Sequence, residues 1–528
     1  MITPARAACL LVIALAILPL ATRLDYPLLH DDRWAVLTNP NVVNGFSVFR
    51  VFATDSWGGQ PGYPHMHYRP LPALTTAATA ASLGVNPAFL RAQNVLFHVA
   101  VSLLVLFLLW PSHHPIAATA AASFFAIHPV HVEAVMFIVN REELLATLFS
   151  LSVLFMLARP GAWPTRRLTA LALLGLLAMA SKETAVCLPL VAFGMAFVTR
   201  PRRFAPTIVL LCVAVVFVAL RAMVLERVLS DFIPWQDNPL VRADWPGRIV
   251  GALAVAGHGA SLLLAPLSQT VDYGWNTLGL PAEGVPLEAC FGALVIIAVV
   301  VLIVVSFLRK PAAAPGLILL SASYAPVSNF LFLNTIILAE RNLYLPSAGL
   351  AMALAAGLDA VCRRPLVRAG AVAAVLAWVI GSAFLAWDRA SDFASAEQLY
   401  ASSLANRPGS TRLHNDLGVA LQDQGRLAEA EREFRTALAI DPENAEAHNN
   451  LGTLLHGRGE LRAALAEYME ALRLRPGMVV ALGNLCNLLV RAEDHERALL
   501  WCEAARRRGA EVGDALRMLE EQGHSKVR

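Results

Sequence analysis

Residues 413–442 read LHNDLGVALQDQGRLAEAEREFRTALAIDP, and residues 447–476 read AHNNLGTLLHGRGELRAALAEYMEALRLRP. The two stretches align with a period of 34 residues. Ala396, Ala430, Ala464 and Ala498 share one register; Tyr400, Phe434, Tyr468 and Cys502 share a second; Pro408, Pro442 and Pro476 share a third. Leu417-Gly418, Leu451-Gly452 and Leu485-Cys486 make a fourth. Apolar residues recur at helical spacing within each half of the unit, with Gly or Pro between the halves. Each unit is therefore expected to be two helices and a turn, with a small residue where the helices touch, a ring between them and proline at the turn.

That is the tetratricopeptide pattern. About three units are the minimum for a stable stack, because each buries its apolar face on its neighbours; the segment 388–408 adds a half-repeat. Asn415, Asn449, Asn450 and Asn484 recur on the first helix of the unit. Amides there can hold an extended acceptor polypeptide or partner protein in the groove of the stack, or they belong to a solvated face.

Outward from the repeats the composition changes. The chain has 528 residues, 57% hydrophobic and 15% charged, too apolar for a soluble protein. Much of the charge lies in the last part. The reading is all-α: a polytopic membrane body over 1–388, then a repeat α-solenoid over 389–528. A crossing helix needs about 20 apolar residues. Eleven candidates are 7–22, 94–110, 116–135, 144–158, 166–180, 184–199, 205–222, 289–308, 316–338, 344–360 and 368–387. The first is read as an uncleaved span rather than a signal peptide, since LPLAT is a poor cleavage site. A twelfth, 249–265, carries His258 among glycines and prolines.

Arg and Lys concentrate in short cytoplasmic loops. The clusters Arg159/Arg166/Arg167, Arg200/Arg202/Arg203, Arg309/Lys310 and Arg363/Arg364/Arg368 share one side only if 249–265 does not cross, so it is read as re-entrant or interfacial. The tail and the motifs HDD, HPVHVEAV, NREE, SKE, DNP, VDYGW and AERNLYLP then gather on the opposite side, which suggests one cleft there. In such an external, oxidising compartment disulfides persist. Cys486 and Cys502, the only tail cysteines, occupy the usual Gly and aromatic positions of the third repeat, which face each other. They form either a bridge or, the more ordinary case, a contact of two small buried side chains.

Charged residues near the bilayer are costly, which makes them functional candidates. Arg69, Arg141, Lys182 and Arg341 are candidate phosphate partners; Glu142 beside Arg141, Glu183 beside Lys182 and Glu340 beside Arg341 offer a purely structural ion pair instead. His128, His131 and Glu133 have metal-ligand chemistry by type, but no metal is expected. Walker A and strand-linked GxGxxG signatures are missing, against a nucleotide-sugar enzyme or an ATP-driven transporter, and nothing points to nucleic acid.

The order of motifs resembles the transmembrane and TPR repeat-containing O-mannosyltransferases: HDDRWAVLTNPNV at 30–42, YRPL at 68–71, FAIHPVHVEAV at 125–135, NREELLA at 140–146, SKE at 181–183, DNP at 237–239, DYGW at 272–275 and PVSNF…AERNLYLPSAG at 326–349. The tail departs by having only about three repeats. The resemblance implies a GT-C membrane body, a polyprenyl-phosphate-linked sugar as donor, no further cofactor, a hydroxyl acceptor, and inversion at the anomeric carbon. It maps the acidic motif of the first external loop onto Asp31 and Asp32. A base must take the acceptor proton, and adjacent carboxylates repel, raising one pKa. Asp31 is expected as base with Asp32 second; the alternative is a helix N-cap pair. His131 and Glu133 are expected to position donor or acceptor, and Arg69, Arg141, Lys182, Glu183, Asp272, Glu340 and Arg341 complete the donor-binding set. Richness in Arg, Ala and Leu points to a bacterial inner-membrane protein with its site and tail in the periplasm. The competing classes are a non-catalytic scaffold and a transporter of lipid-linked substrates.

Overall fold

The computed structural model describes residues 3–59, 67–198, 202–226, 233–275, 277–278, 284–308, 311–510 and 512–521. Among them the regular structure is entirely helical. The chain divides into two compact units between Ser395 and Ala396, and the last long apolar helix, Pro365–Ser391, runs past residue 388.

In the first unit, six helices are long and apolar enough to cross a membrane: Pro87–Leu109, Ala205–Leu225, Trp245–Leu264, Leu287–Leu308, Glu340–Cys362 and Val367–Ala394. The first shows why such segments form. Asn86 caps it by accepting from Ala88 N at 2.8 Å, proline opens it, and 23 residues follow without a break. Leu287–Leu308 exposes Leu294, Ile297, Val300 and Val301 by more than half, an apolar face of the kind that lies against lipid. This is an integral membrane protein.

The expected count of eleven spans does not emerge. Residues 184–199 yield an 11-residue helix, Leu188–Val198, behind a 3-10 turn, and 316–338 yields Ala314–Tyr324, also 11 residues. At 1.5 Å per residue each covers only about 16 Å. Residues 7–22 supply a 14-residue helix, Pro4–Ile17. The apolar stretch 116–135 is broken into Pro115–Ile127 and Pro129–Met136, bent by 47°. Pro129 has no N–H to give the helix and forces His128 out of the helical region.

Residues 249–265, expected to lie in the interface, form most of Trp245–Leu264, which has the length and composition of a crossing helix. Its glycines are packing contacts. A Cβ on Gly257 would lie 2.1 Å from Glu288 O, and one on Gly292 would lie 1.9 Å from Leu253 O, so the helix and Leu287–Leu308 touch backbone to backbone. The orientation argument loses its premise here, and Arg200, Arg309 and Lys310 lie outside the described residues.

The second unit carries the repeats. Ala430, Ala464 and Ala498 are fully buried. A Cβ on Gly418 would meet the Phe434 ring at 2.6 Å, and one on Gly452 would meet Tyr468 at 2.9 Å, so ring size dictates glycine opposite. In the third repeat both members of that pair are cysteine, and Cys486 and Cys502 are disulfide-bonded with Cα atoms 4.8 Å apart, within the range a bridge spans. The bridge, not the simple contact, is what this packing position holds.

Candidate active site

The helix Pro87–Leu109 anchors the acidic loop. Arg91, 1% exposed, donates to the carbonyls of Leu24, Tyr26 and Pro27 and to Met136 O. Asn94 donates to Val135 O and Phe137 O, each at 3.1 Å. Arg91 thus stitches 24–27 to 136, and Asn94 fixes 135–137 on the same helix. Sequence reasoning missed them, although an Arg and an Asn inside a membrane-length helix are themselves a signal.

The two aspartates part company on this scaffold. The Asp32 carboxylate is fully buried and accepts from Ile138 N at 2.9 Å and Val139 N at 2.8 Å. Burial pushes it up to about 6; the two N–H groups and Arg91 pull the other way, and Asp31 contributes least. Repulsion within the pair, the sequence argument, is the smallest cause, and the raised group is the buried one. Asp31 is half exposed, with His30 Nε2 at 3.6 Å. His30 has φ 48°, a strained value for a residue with a side chain, where it opens the short helix Asp31–Arg33.

The cations find partners across the fold, not beside them in sequence. Arg69 is consumed: Nη1 meets Glu142 at 2.5 Å, while Nε and Nη2 meet Glu183 at 2.8 and 2.6 Å. Lys182 pairs with Glu143, lies 3.8 Å from Glu142 and donates to Asn342 Oδ1 at 3.0 Å. Arg141 is fully buried, giving its N–H groups to Asn94 Oδ1, Thr76 Oγ1 and Leu90 O. Those partners are neutral and internal, so its visible work is to tie the helix Arg141–Ala158 to Pro87–Leu109.

Arg341 differs. Glu133 holds it twice, by Oε1 to Nη1 at 2.5 Å and by Oε2 to its backbone N at 3.1 Å. The other edge of the guanidinium takes no protein partner among the described residues, and the side chain is 22% exposed. Arg341 lies within electrostatic range of Asp31 and Glu142. The bend at Pro129 is what brings Glu133 inward to clamp it.

The remaining candidates are internal. His131 is 2% exposed, with Nε2 at 2.8 Å from Ser347 Oγ and its ring among Phe125, His98 and Tyr344. Glu340 is fully buried and accepts from Gln269, Thr270 N and Tyr273, with Arg389 at 3.8 Å. Asp272 is 8% exposed and closes its turn by accepting from Gly274 N at 3.1 Å. Among the described residues no group of three or more His, Cys, Asp or Glu is placed to hold a metal ion.

An apolar groove of about 420 Å³ is lined by Gly259, Leu263, Tyr324, Leu343 and Pro346. Leu343 belongs to the same 3-10 turn as Arg341. A second groove of about 430 Å³, between Pro4–Ile17, Pro115–Ile127 and Pro365–Ser391, contains none of the charged candidates.

In the repeats the four asparagines form one chain of amides. Asn484 donates to Asn449 at 2.9 Å, Asn449 to Asn450 at 3.2 Å, and Asn450 to Asn415 at 2.9 Å. Asn415 and Asn449 are buried, unlike residues of a solvated face.

A helical membrane body with a buried acid–base cluster, joined to tetratricopeptide repeats, defines the class. A tetratricopeptide-repeat family model matches residues 385–445 and 415–479. Over most of its length the chain is similar to the transmembrane and TPR repeat-containing protein O-mannosyl-transferases, as the motifs anticipated. It is 28% identical over 428 residues to protein O-mannosyl-transferase F38B6.6 of Caenorhabditis elegans, covering 79% of this chain and 60% of that protein. It is 28% identical over 492 residues to human protein O-mannosyl-transferase TMTC1, covering 81% and 54%. Mouse protein O-mannosyl-transferase TMTC3 is 25% identical over 441 residues, covering 75% and 47%. The chain thus spans about half the length of these relatives.

Proposed function

We propose that the chain is a membrane glycosyltransferase that moves a sugar, mannose in line with its relatives' names, from a polyprenyl-phosphate donor to a hydroxyl acceptor, Ser or Thr of an exported protein. The observation that carries this reading is Arg341, held by Glu133 with its other edge open and the half-exposed Asp31 within reach of its charge. Asp31 takes the proton of the acceptor hydroxyl as its oxygen attacks the anomeric carbon. The bond from that carbon to the phosphate oxygen breaks, and the leaving phosphate keeps the electron pair. One displacement inverts the centre.

The free edge of Arg341 offers parallel donors to that phosphate, and Glu133 fixes its direction. The groove at Leu343 suits the prenyl chain. Arg69, Lys182, Glu142, Glu143 and Glu183 brace the cluster, and Asp32 with Arg91 holds the loop that carries Asp31. The amide chain of the repeats serves the acceptor polypeptide, exchanging its internal hydrogen bonds for those of an extended backbone. The disulfide supports an oxidising location for the tail, the periplasmic side of a bacterial inner membrane in this reading.

The test is transfer by the purified protein with a panel of polyprenyl-phosphate sugars and a Ser/Thr peptide. Activity with the mannosyl donor that disappears in Asp31→Asn is expected. Asp31→Asn within threefold of the parent protein removes Asp31 as the base, and failure with every donor sinks the reading.

A further inference from the structure

The 3-10 turn Glu340–Leu343 sets Asn342 next to Arg341. Lys182, which ends the helix Thr165–Ser181, donates from Nζ to Asn342 Oδ1 at 3.0 Å. An ammonium carries donors only, so this contact decides which end of the carboxamide is oxygen. The Nδ2 end therefore points away from Lys182, and among the described residues it donates to no protein acceptor. Asn342 is partly exposed. Lys182 is itself held by Glu143, with Glu142 at 3.8 Å. The adjacent Arg341 offers a free edge in the same region, since Glu143 and Glu142 both feel its charge.

We infer that Asn342 is a phosphate-binding residue of this site, donating from Nδ2 to a phosphate oxygen of the lipid-linked donor beside Arg341, with Lys182 as the positioning residue that holds the carboxamide in that sense. The inference rests on the polyprenyl-phosphate reading and names a group within it. When the sugar departs, the phosphate passes from one negative charge towards two. A neutral donor already aimed at it gains strength in that step and needs no reorganisation. A neutral amide also adds a donor without adding a charge, in a cluster where Glu133, Glu142, Glu143 and Glu183 already engage Arg69, Lys182 and Arg341.

The experiment measures binding of two probes, undecaprenyl phosphate and undecaprenol, to the full purified chain in detergent. The two share the hydrocarbon and differ only in the phosphate. The parent protein is expected to prefer the phosphate. Asn342→Ala should weaken undecaprenyl phosphate about tenfold or more, the scale of one hydrogen bond to a charged group, and leave undecaprenol unchanged. Asn342→Asp keeps a partner for Lys182 and should lose more, because it sets a carboxylate against the phosphate; it also serves if the alanine variant does not fold. Equal loss for both probes would mark a structural residue and overturn the assignment. So would a phosphate affinity within twofold of the parent in both variants. A parent protein that does not distinguish the probes overturns the polyprenyl-phosphate reading itself.

Discussion

Replacing Asp32 by Asn tests the division of labour between the two aspartates. The Asp32 carboxylate is fully buried and raised from 3.8 to about 6, chiefly by burial. Each pH unit of such a shift is worth about 1.4 kcal/mol, so the charged form costs the folded protein about 3 kcal/mol above pH 6. The sign follows from the raised value: the stabilising contribution is complete below pH 3.8 and is lost as pH rises through about 6. Asn cannot ionise and retains one acceptor, but its amide end faces a backbone N–H of Ile138 or Val139, a mismatch of about 1–3 kcal/mol at any pH. Wild type should therefore exceed Asp32→Asn in melting temperature at pH 4.5, and the gap should shrink or reverse by pH 7.5. Thermal unfolding of the detergent-solubilised protein, followed by intrinsic fluorescence at both pH values, reads this out. Asp31→Asn is the control, with a shift of no more than about 0.5 kcal/mol, as for an exposed residue. A gap between wild type and Asp32→Asn that stays constant from pH 4.5 to 7.5 would refute the buried-carboxylate reasoning.

Three further outcomes are expected. Glu133→Gln weakens the clamp on Arg341, so transfer should fall about tenfold or more through kcat, whereas an unchanged kcat would remove Glu133 from the site. Gly257→Leu should prevent normal packing of Trp245–Leu264 on Leu287–Leu308, because a Cβ there lies 2.1 Å from a backbone oxygen, while Gly357→Ala, with nothing within 4 Å, should be silent; the yield of monodisperse protein distinguishes them. Cys486→Ser should lower the stability of the repeats by about 2–4 kcal/mol, and mass spectrometry of the non-reduced chain should find the Cys486–Cys502 linkage; two free thiols would refute it.

Much of this protein was legible in the chain. The 34-residue period is set by local geometry, since one unit must bury Ala430 and Phe434 against Gly418 wherever it stands. The membrane class follows from composition, because apolar helices have no other solvent. The motifs that name the candidate residues are local as well. The roles within those motifs were not legible. Asp31 and Asp32 are neighbours with the same side chain, and only the approach of 138–139 buries one and leaves the other half exposed. Nearest-neighbour pairs such as Lys182 with Glu183 looked sufficient, yet Lys182 meets Glu143, Arg69 meets Glu183 and Arg341 meets Glu133. Ion pairs across 39, 114 and 208 residues follow from helix packing, which no local pattern encodes. The same holds for Gly257 and Gly292: in sequence they resemble breaks, and in the structure they are the contact that lets two helices approach. Sequence by itself determined the repeat, the solvent and the candidate residue types, all properties of short stretches. Tertiary structure alone decided which carboxylate is exposed, which cation keeps a free edge and how many helices reach crossing length, because each depends on what a distant segment brings alongside.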